Sequence, residues 1–358
     1  MHICSARSIG GGEKHVASLV NGLSRRGHEV FVAVAPDSPV ISMLDEVSSE
    51  NIIQLTMRNA ISLRSALKLA KFARERKVEI IHAHLGRDYP LAAVAAGRSG
   101  ARLILTRHVM FPLGRVHRLV LRRTARVIAV SEAVADALRS QRIFNPAIIR
   151  VIHNGVDTDR FAAEAPKRKN ETRLRVGTIG ELAPVKRQED LIRAAQHICR
   201  ERDDVEFVIE GEDKSPTGEN RQRLLRLIAE LQLEQRVHLS GWSEDIATLM
   251  ASLDVFVSTS ESESFGMAIV EAMAAGLAVV ATATPGACEI MKDNVTGRLI
   301  AIRDVHAIAK AIGELVDSPE ERARLGANAR VVARERFDSE RMIDETVKLY
   351  EEVMLQTS

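Results

Sequence analysis

The sequence predicts an α/β protein made of two Rossmann-like, doubly wound parallel-sheet domains that face a central cleft. Its length of 358 residues suits two domains of typical size. Short aliphatic runs alternate with amphipathic helical stretches, and the alternation restarts after a polar segment at 163–172. In open α/β sheets ligands bind beyond the carboxyl ends of the strands, so the cleft would hold a donor and an acceptor.

The first half reads as successive βαβ units. The predicted strands are 28–34, 78–83, 102–106 and 126–130, with helices over 13–26 and 62–76. Such alternation produces a parallel sheet with right-handed connections. The first domain is therefore expected to cover 1–155.

The second half repeats the pattern after a linker at 156–172. The predicted strands are 174–179, 205–210, 237–240, 255–258 and 278–281, and the predicted helices are 188–200, 219–231 and 267–275. The second domain is expected to cover 173–338. An amphipathic helix within 339–358 should pack back on the first domain.

Charge divides the chain into unlike halves within a net charge of +2. Residues 1–153 contain 23 Lys and Arg against 11 Asp and Glu, or +12, whereas residues 154–358 contain 27 against 37, or −10. A helix is expected to carry a basic run, namely Arg115, His117, Arg118, Arg122, Arg123 and Arg126. This run is either a solvated face or a surface that docks on anionic lipid or a phosphorylated, lipid-linked acceptor.

Composition argues for a cytoplasmic protein, which could lie at the inner face of a membrane. No apolar run approaches the roughly 20 residues that span a bilayer, and the N-terminus lacks the pattern of a signal peptide. Three distant cysteines favour reduced thiols. Nucleic acid is not an expected partner, because aromatic side chains that stack on bases make up only 3% of the chain.

The most informative segment, 260–276, reads as a strand end, an acidic loop and a helix. Glu263 and Glu271 would lie about 10 Å apart if most of the interval is helical. The helix start between them, at Phe265, Gly266 and Met267, offers backbone N–H groups to a diphosphate.

A simpler alternative is that Glu263 caps the helix and Glu271 is solvated. The residues around Glu271 are apolar nearly all round, which predicts a buried helix. A buried carboxylate needs partners or a ligand, so the sequence favours a binding role.

At this point the chain resembles the GT-B retaining glycosyltransferases of family 4. The resemblance rests on the Glu-x7-Glu segment from Glu263 to Gly276 and on ordered matches along nearly the whole chain. These are Gly10-Gly11-Gly12-Glu13, Arg25 to Val30, Thr106-Arg107-His108, Val130-Ser131, Asn154 to Asp157 with Phe161, Arg336-Phe337 and Tyr350.

The resemblance implies roles for particular residues. Glu271 would hold the ribose, Glu263 would contact the donor sugar, and Lys186 would neutralise the diphosphate. His108 would lie against the sugar. The donor-binding set implied in full is Gly11, Gly12, Glu181, Arg187, Ser264, Phe265, Gly266, Met267 and Glu271, with His108, Lys186 and Glu263 as the catalytic residues.

One departure concerns the phosphate site. The family usually has Gly-Arg-Leu where this chain has Gly180-Glu181-Leu182, and a Gly where it has Arg187. Glu181 cannot bind phosphate directly. Three explanations stay open: Arg187 or another cation compensates, Glu181 orients Lys186, or donor affinity is reduced.

Three other motifs could bind phosphate or metal. Gly10-Gly11-Gly12 follows the first strand and could meet a phosphate, or could be only a turn; His15 breaks the dinucleotide fingerprint. Asp157-Thr158-Asp159 is interpreted as turn chemistry. His82 and His84 could bind a metal, but strand-end histidines more often face a cleft or pack. No cofactor and no required metal are predicted.

The function implied by the resemblance is transfer of a hexose-type sugar from a nucleotide-sugar to a glycan or lipid-linked acceptor, with retention. The envelope-glycan pathways would be its setting. Two rivals are a same-fold nucleotide-sugar epimerase or hydrolase, and a non-catalytic nucleotide-sugar-binding protein. An oxidoreductase is disfavoured because the dinucleotide fingerprint is missing.

Overall fold

The computed structural model describes residues 1–57, 63–114, 117–162, 173–243 and 245–355. The chain divides into two compact units. The first is Met1–Gly155 together with Ser339–Ser358, and the second is Val156–Asp338. Across those described ranges, every helix is too short or too polar to cross a membrane.

The first unit is a doubly wound sheet. Its strands are β1 (His2–Cys4), β2 (Val32–Val34), β3 (Ile52–Gln54), β4 (Ile80–Ala83), β5 (Arg102–Arg107), β6 (Thr124–Ala129) and β7 (Ile149–Val151). Its helices are α1 (Gly11–Arg25), α2 (Leu63–Glu75), α3 (Tyr89–Ser99), α4 (His117–Val120), α5 (Glu132–Gln141) and α14 (Ser339–Leu355). The strands are parallel in the order β3-β2-β1-β4-β5-β6-β7, so the winding reverses between β1 and β4.

The second unit repeats this plan. Its strands are β8 (Leu174–Ile179), β9 (Val205–Glu210), β10 (Val237–Ser240), β11 (Val255–Ser258), β12 (Ala278–Thr282) and β13 (Arg298–Ile300). Its helices are α6 (Thr158–Ala162), α7 (Gln188–Glu201), α8 (Glu219–Glu230), α9 (Ile246–Ala251), α10 (Met267–Ala274), α11 (Pro285–Ile290), α12 (Val305–Asp317) and α13 (Pro319–Phe337). The parallel order β10-β9-β8-β11-β12-β13 puts the winding reversal between β8 and β11.

These two sheets confirm the predicted fold class. Each sheet is covered by helices, so its inner strands, such as β2 and β12, are buried and read as continuous aliphatic runs. In the second unit, Val176, Phe207 and Val257 are fully buried in one apolar cluster with helix residues such as Ile192 and Ile312. The reversal points matter most, since in this kind of sheet they are where ligands bind.

The last helix, α14, lies in the first unit. Ile343 and Val353 join the apolar cluster that also contains Leu19 of α1. At the surface, Arg26 forms ion pairs of 2.7 Å with both Glu340 and Asp344. Exposed ion pairs add little to stability, so the buried aliphatic contacts hold the helix in place.

The predicted basic helix is wrong. Helix α4 covers only His117–Val120, and β6 begins at Thr124. Arg126 therefore lies on a strand, where its side chain is buried rather than solvated. Arg115 lies outside the described residues, as do residue 62 of a predicted helix and 163–172 of the predicted linker.

Candidate functional site

The acidic loop at 259–266 connects the carboxyl end of β11 to the first residue of α10. Its backbone is held by a bond from the Gly286 amide to the Glu263 carbonyl, 3.1 Å. The buried Phe265 ring packs against Phe337 with 5.6 Å between centroids. Gly266 is the N-cap at φ +107°, a conformation that disfavours side chains. The helix start is thus fixed by local structure.

Lys186 and Glu263 meet beside this helix start. Lys186 ends a short 3₁₀ turn, Pro184–Lys186, that follows β8. Its ammonium forms an ion pair with one Glu263 oxygen, which also accepts a 2.8 Å bond from the Ser260 hydroxyl. The Thr259 hydroxyl donates to the Lys186 carbonyl at 2.9 Å. Two residues predicted to be catalytic are therefore in direct contact.

Glu271 is on α10 and is only 4% exposed. The simpler alternative fails for both acids, because Glu271 is not solvated and Gly266, not Glu263, is the N-cap. The helix starts at Met267, so only the second half of the interval between the two acids is helical. The separation of about 10 Å expected for a mostly helical interval therefore applies only in part, because the helical rise per residue holds for that half alone.

Glu181 pairs with a cation that the sequence reasoning did not consider. Its carboxylate lies 3.7 Å from the Lys214 ammonium, on the loop that follows β9. Arg187 is held elsewhere by a bidentate contact to Asp190, at 2.7 and 2.9 Å, which raises the pKa of Arg187. This pair makes Lys214 the candidate for the other cation among the three explanations. A lysine just past a neighbouring strand was the signal available in the sequence.

In the first unit, the glycine loop lies next to His108. Gly10 is the N-cap of α1, so Gly11 and Gly12 contribute the first amides of a 15-residue helix. A methyl group on Gly12 would lie 3.6 Å from the His108 ring, which follows β5. The structure thus brings together three of the residues that the resemblance assigned to the donor.

Four buried histidines, His2, His15, His82 and His84, and the half-buried His108 surround this point. Burial, reinforced by mutual repulsion, lowers the pKa of His2, His82, His84 and His108 well below its ordinary value. Burial lowers the pKa of His15 to about 4, with the Asn154 side chain opposing the shift. The rings are consequently neutral at pH 7.

Asp157 behaves as turn chemistry requires. Its carboxylate accepts a 3.0 Å bond from the Arg160 amide at the start of α6. Thr158, between the two aspartates, bonds to Asp338. These contacts support the interpretation of the Asp157-Thr158-Asp159 motif as a structural turn.

Comparison with known proteins extends the picture to nearly the whole chain. Residues 9–160 match the family described as Glycosyltransferase Family 4, and residues 159–332 match Glycosyl transferases group 1. The MMP alpha-(1->4)-mannosyltransferase of Mycolicibacterium hassiacum is 30% identical over 286 residues, or 78% of this chain and 66% of that protein. The N-acetyl-alpha-D-glucosaminyl L-malate synthase of Bacillus anthracis is 24% identical, with 97% of this chain and 95% of that protein covered.

A solved structure gives the same fold. Anabaena HepE in complex with UDP and glucose superposes with a TM-score of 0.86 at 23% identity, covering 98% of each chain. Two doubly wound parallel sheets in these strand orders, shared with HepE, define the GT-B fold. The chain belongs to glycosyltransferase family 4, a family of retaining enzymes that use nucleotide-sugar donors.

Proposed function

We propose that the protein transfers a hexose-type sugar from a nucleotide-diphosphate sugar to a glycan or lipid-linked acceptor in cell-envelope glycan synthesis. The observation that carries the proposal is the Lys186–Glu263 pair at the N-terminus of α10. A cation and helix amides at one point suit the diphosphate, and the adjacent carboxylate suits the hydroxyls of the sugar. Family membership and the fold of HepE with UDP and glucose support the donor class.

The donor would exchange the resting ion pair for new contacts. Lys186 and the first amides of α10 would bind the diphosphate, because a helix N-terminus favours anions. Glu263 would accept hydrogen bonds from sugar hydroxyls, and the buried Glu271 would accept those of the ribose. Lys214, paired with Glu181, supplies a second ammonium near the β8 and β9 loops.

The proposed reaction is a front-face displacement. The bond from the anomeric carbon to the diphosphate oxygen breaks, and the acceptor oxygen bonds to the same face of that carbon. The acceptor proton passes to the departing phosphate oxygen. Lys186 and the α10 amides stabilise the negative charge that develops on the leaving group, and positioning supplies the remainder of the acceleration.

An anionic, lipid-linked acceptor suits the first half of the chain, with its excess of +12. Phe111 and Leu119 are 76% and 71% exposed, and Leu119 follows the exposed Arg118 directly in the sequence. Exposed apolar side chains together with basic ones favour contact with an anionic bilayer. The Bacillus anthracis relative, an N-acetyl-alpha-D-glucosaminyl L-malate synthase, is named for a product that contains the anionic compound L-malate.

The test is a transfer assay with labelled UDP-, GDP- and ADP-sugars, each with and without acceptor extracts. We expect acceptor-dependent transfer from one donor, with NMR of the product reporting a retained anomeric configuration. Consumption of donor at the same rate without acceptor would identify the epimerase or hydrolase instead. Donor binding without transfer to any acceptor would identify a non-catalytic binding protein.

A further inference from the structure

The buried histidines of the first unit exceed what the proposed reaction uses. His2 lies on β1, His15 on α1 and His82 on β4, while His84 and His108 follow β4 and β5 directly. Their rings form one contiguous cluster, in which neighbouring ring centroids lie 4.2 to 6.2 Å apart. Of the five, His108 is the one that the family resemblance assigns to the donor sugar.

Three of these rings point one nitrogen each toward a common space. The nitrogens of His15, His84 and His108 lie within 4.8 Å of one another. The ring centroids are 4.8 Å apart for His15 and His108, 5.8 Å for His15 and His84, and 6.2 Å for His84 and His108. Zinc–nitrogen bonds of about 2.0–2.1 Å would draw the nitrogens together by roughly 1 Å.

The hydrogen bonds leave donor atoms available in this space. One His84 nitrogen, Nε2, lies 3.1 Å from Nδ1 of His2. Within the described part of the chain, Nδ1 of His84 and both nitrogens of His108 are buried without a hydrogen bond. Unsatisfied buried nitrogens are costly, and neutral imidazole is the form that binds metals.

His82 is excluded as a ligand by its own contacts. One ring nitrogen lies 2.6 Å from the Tyr350 hydroxyl and the other lies 2.7 Å from the Thr106 hydroxyl. Both nitrogens of His82 are thus occupied, so its ring has no free nitrogen for a metal and the alternative group of His2, His82 and His84 lacks one of its three ligands. The set around His15 is the one with open donor atoms.

We propose that His15, His84 and His108 bind one divalent transition-metal ion of the zinc type, with His2 orienting His84. Three imidazoles leave a fourth position for water or another ligand, as in open zinc sites. A bond from Nε2–H of His84 to His2 would fix the tautomer that presents Nδ1, the usual arrangement around a metal-bound histidine. Occupancy would withdraw His108 from the donor sugar.

The test is calorimetric titration of tag-free, EDTA-treated protein with Zn²⁺, with Co²⁺ absorption as a second readout. We expect one ion per chain and the intense visible bands of a tetrahedral Co²⁺ site. His84→Ala should weaken binding at least about 100-fold, and His2→Phe about 10- to 100-fold. Circular dichroism of each variant checks that it has folded.

The control is the exposed His306, whose ring lies 4.7 Å from that of His197 in the second unit. His306→Ala should leave the stoichiometry and affinity unchanged. Loss of binding in this variant would assign the ion to the surface pair and overturn the proposal. Absence of any one-to-one binding by the unmodified chain would overturn it equally.

Discussion

Lys186 is the residue on which the proposed leaving-group chemistry depends. Its ammonium contacts Glu263 at the start of α10, where negative charge would develop on the departing diphosphate. Lys186→Ala should lower kcat by about 100-fold, the scale of losing one preorganised stabilising donor. The matched control is Lys310→Ala, since Lys310 is exposed and forms an ion pair with Glu314 one helical turn away. Equal turnover in both variants would remove Lys186 from the mechanism.

Glu181 gives a second prediction at the same scale. Its carboxylate lies 3.7 Å from Lys214, so it holds an ammonium that could otherwise face the diphosphate. Glu181→Gln should therefore lower the donor Kd several-fold, about the effect of one partly exposed charge pair. Calorimetric titration with the preferred nucleotide-sugar measures it. A weaker affinity would mean that Glu181 positions Lys214 for the donor instead.

Sequence reasoning identified Lys186 and Glu263 but could not place them in contact. They are 77 residues apart, and they meet because β8 and β11 are neighbours in the sheet. That order is a tertiary property of a doubly wound sheet. Lys214 was missed for the same reason, since it follows β9, the strand on the other side of β8.

At the scale of elements, most strands of the second sheet were predictable from the sequence. The inner strands β8, β9 and β11 have the predicted bounds, because strands buried on both faces read as aliphatic runs. The edge strand β10 has the predicted bounds as well. The three-residue strand β13, at the sheet edge, carries too short a pattern to recognise. The basic run from Arg115 to Arg126 was wrongly predicted to lie on a helix, because the spacing of charges does not distinguish a helix from a loop that leads into a strand.

Close packing of α13 provides an element-scale prediction. A methyl group on Gly326 would collide with the backbone carbonyl of Gly276, whereas one on Gly313 of α12 meets nothing within 4 Å. Gly326→Ala should lower the free energy of unfolding by about 1–3 kcal/mol, because backbone cannot yield as a side chain does. Gly313→Ala should raise it by about 0.5–1 kcal/mol through helix propensity. Urea denaturation of both variants measures the contrast, and equal shifts would contradict it.

At the scale of the whole molecule, the histidines make the first unit sensitive to acid. A histidine whose pKa is lower in the folded state than in the unfolded state makes the protein less stable in acid. Its full contribution to stability is present above the unfolded-state pKa of 6.5, and this contribution is lost as the pH falls toward the folded-state pKa. For His15, with a folded pKa of about 4, the loss at pH 5 is on the order of 2 kcal/mol. His2, His82, His84 and His108 act in the same direction.

Hydrogen exchange of β1 and β4 amides, in metal-free protein, measures this effect. We expect protection to fall between pH 7.5 and pH 5 after correction for the intrinsic exchange rate. His15→Leu should show a smaller fall, and the exposed His28→Leu should match the unmodified chain. Protection that does not change with pH would show that the cluster is not buried in solution.

The most direct test of the account asks whether Glu263 and Glu271 bind the donor. The measurement is calorimetric titration of UDP-, GDP- and ADP-sugars into the unmodified chain and three glutamine variants. Glu263→Gln and Glu271→Gln should each weaken binding of the preferred donor at least about tenfold, the cost of losing a charged hydrogen-bond acceptor. Glu261→Gln, on the same loop but paired with Arg303 at 2.6 Å, should bind normally. Unchanged affinity in the first two variants would contradict the assignment of a sugar-diphosphate site to α10.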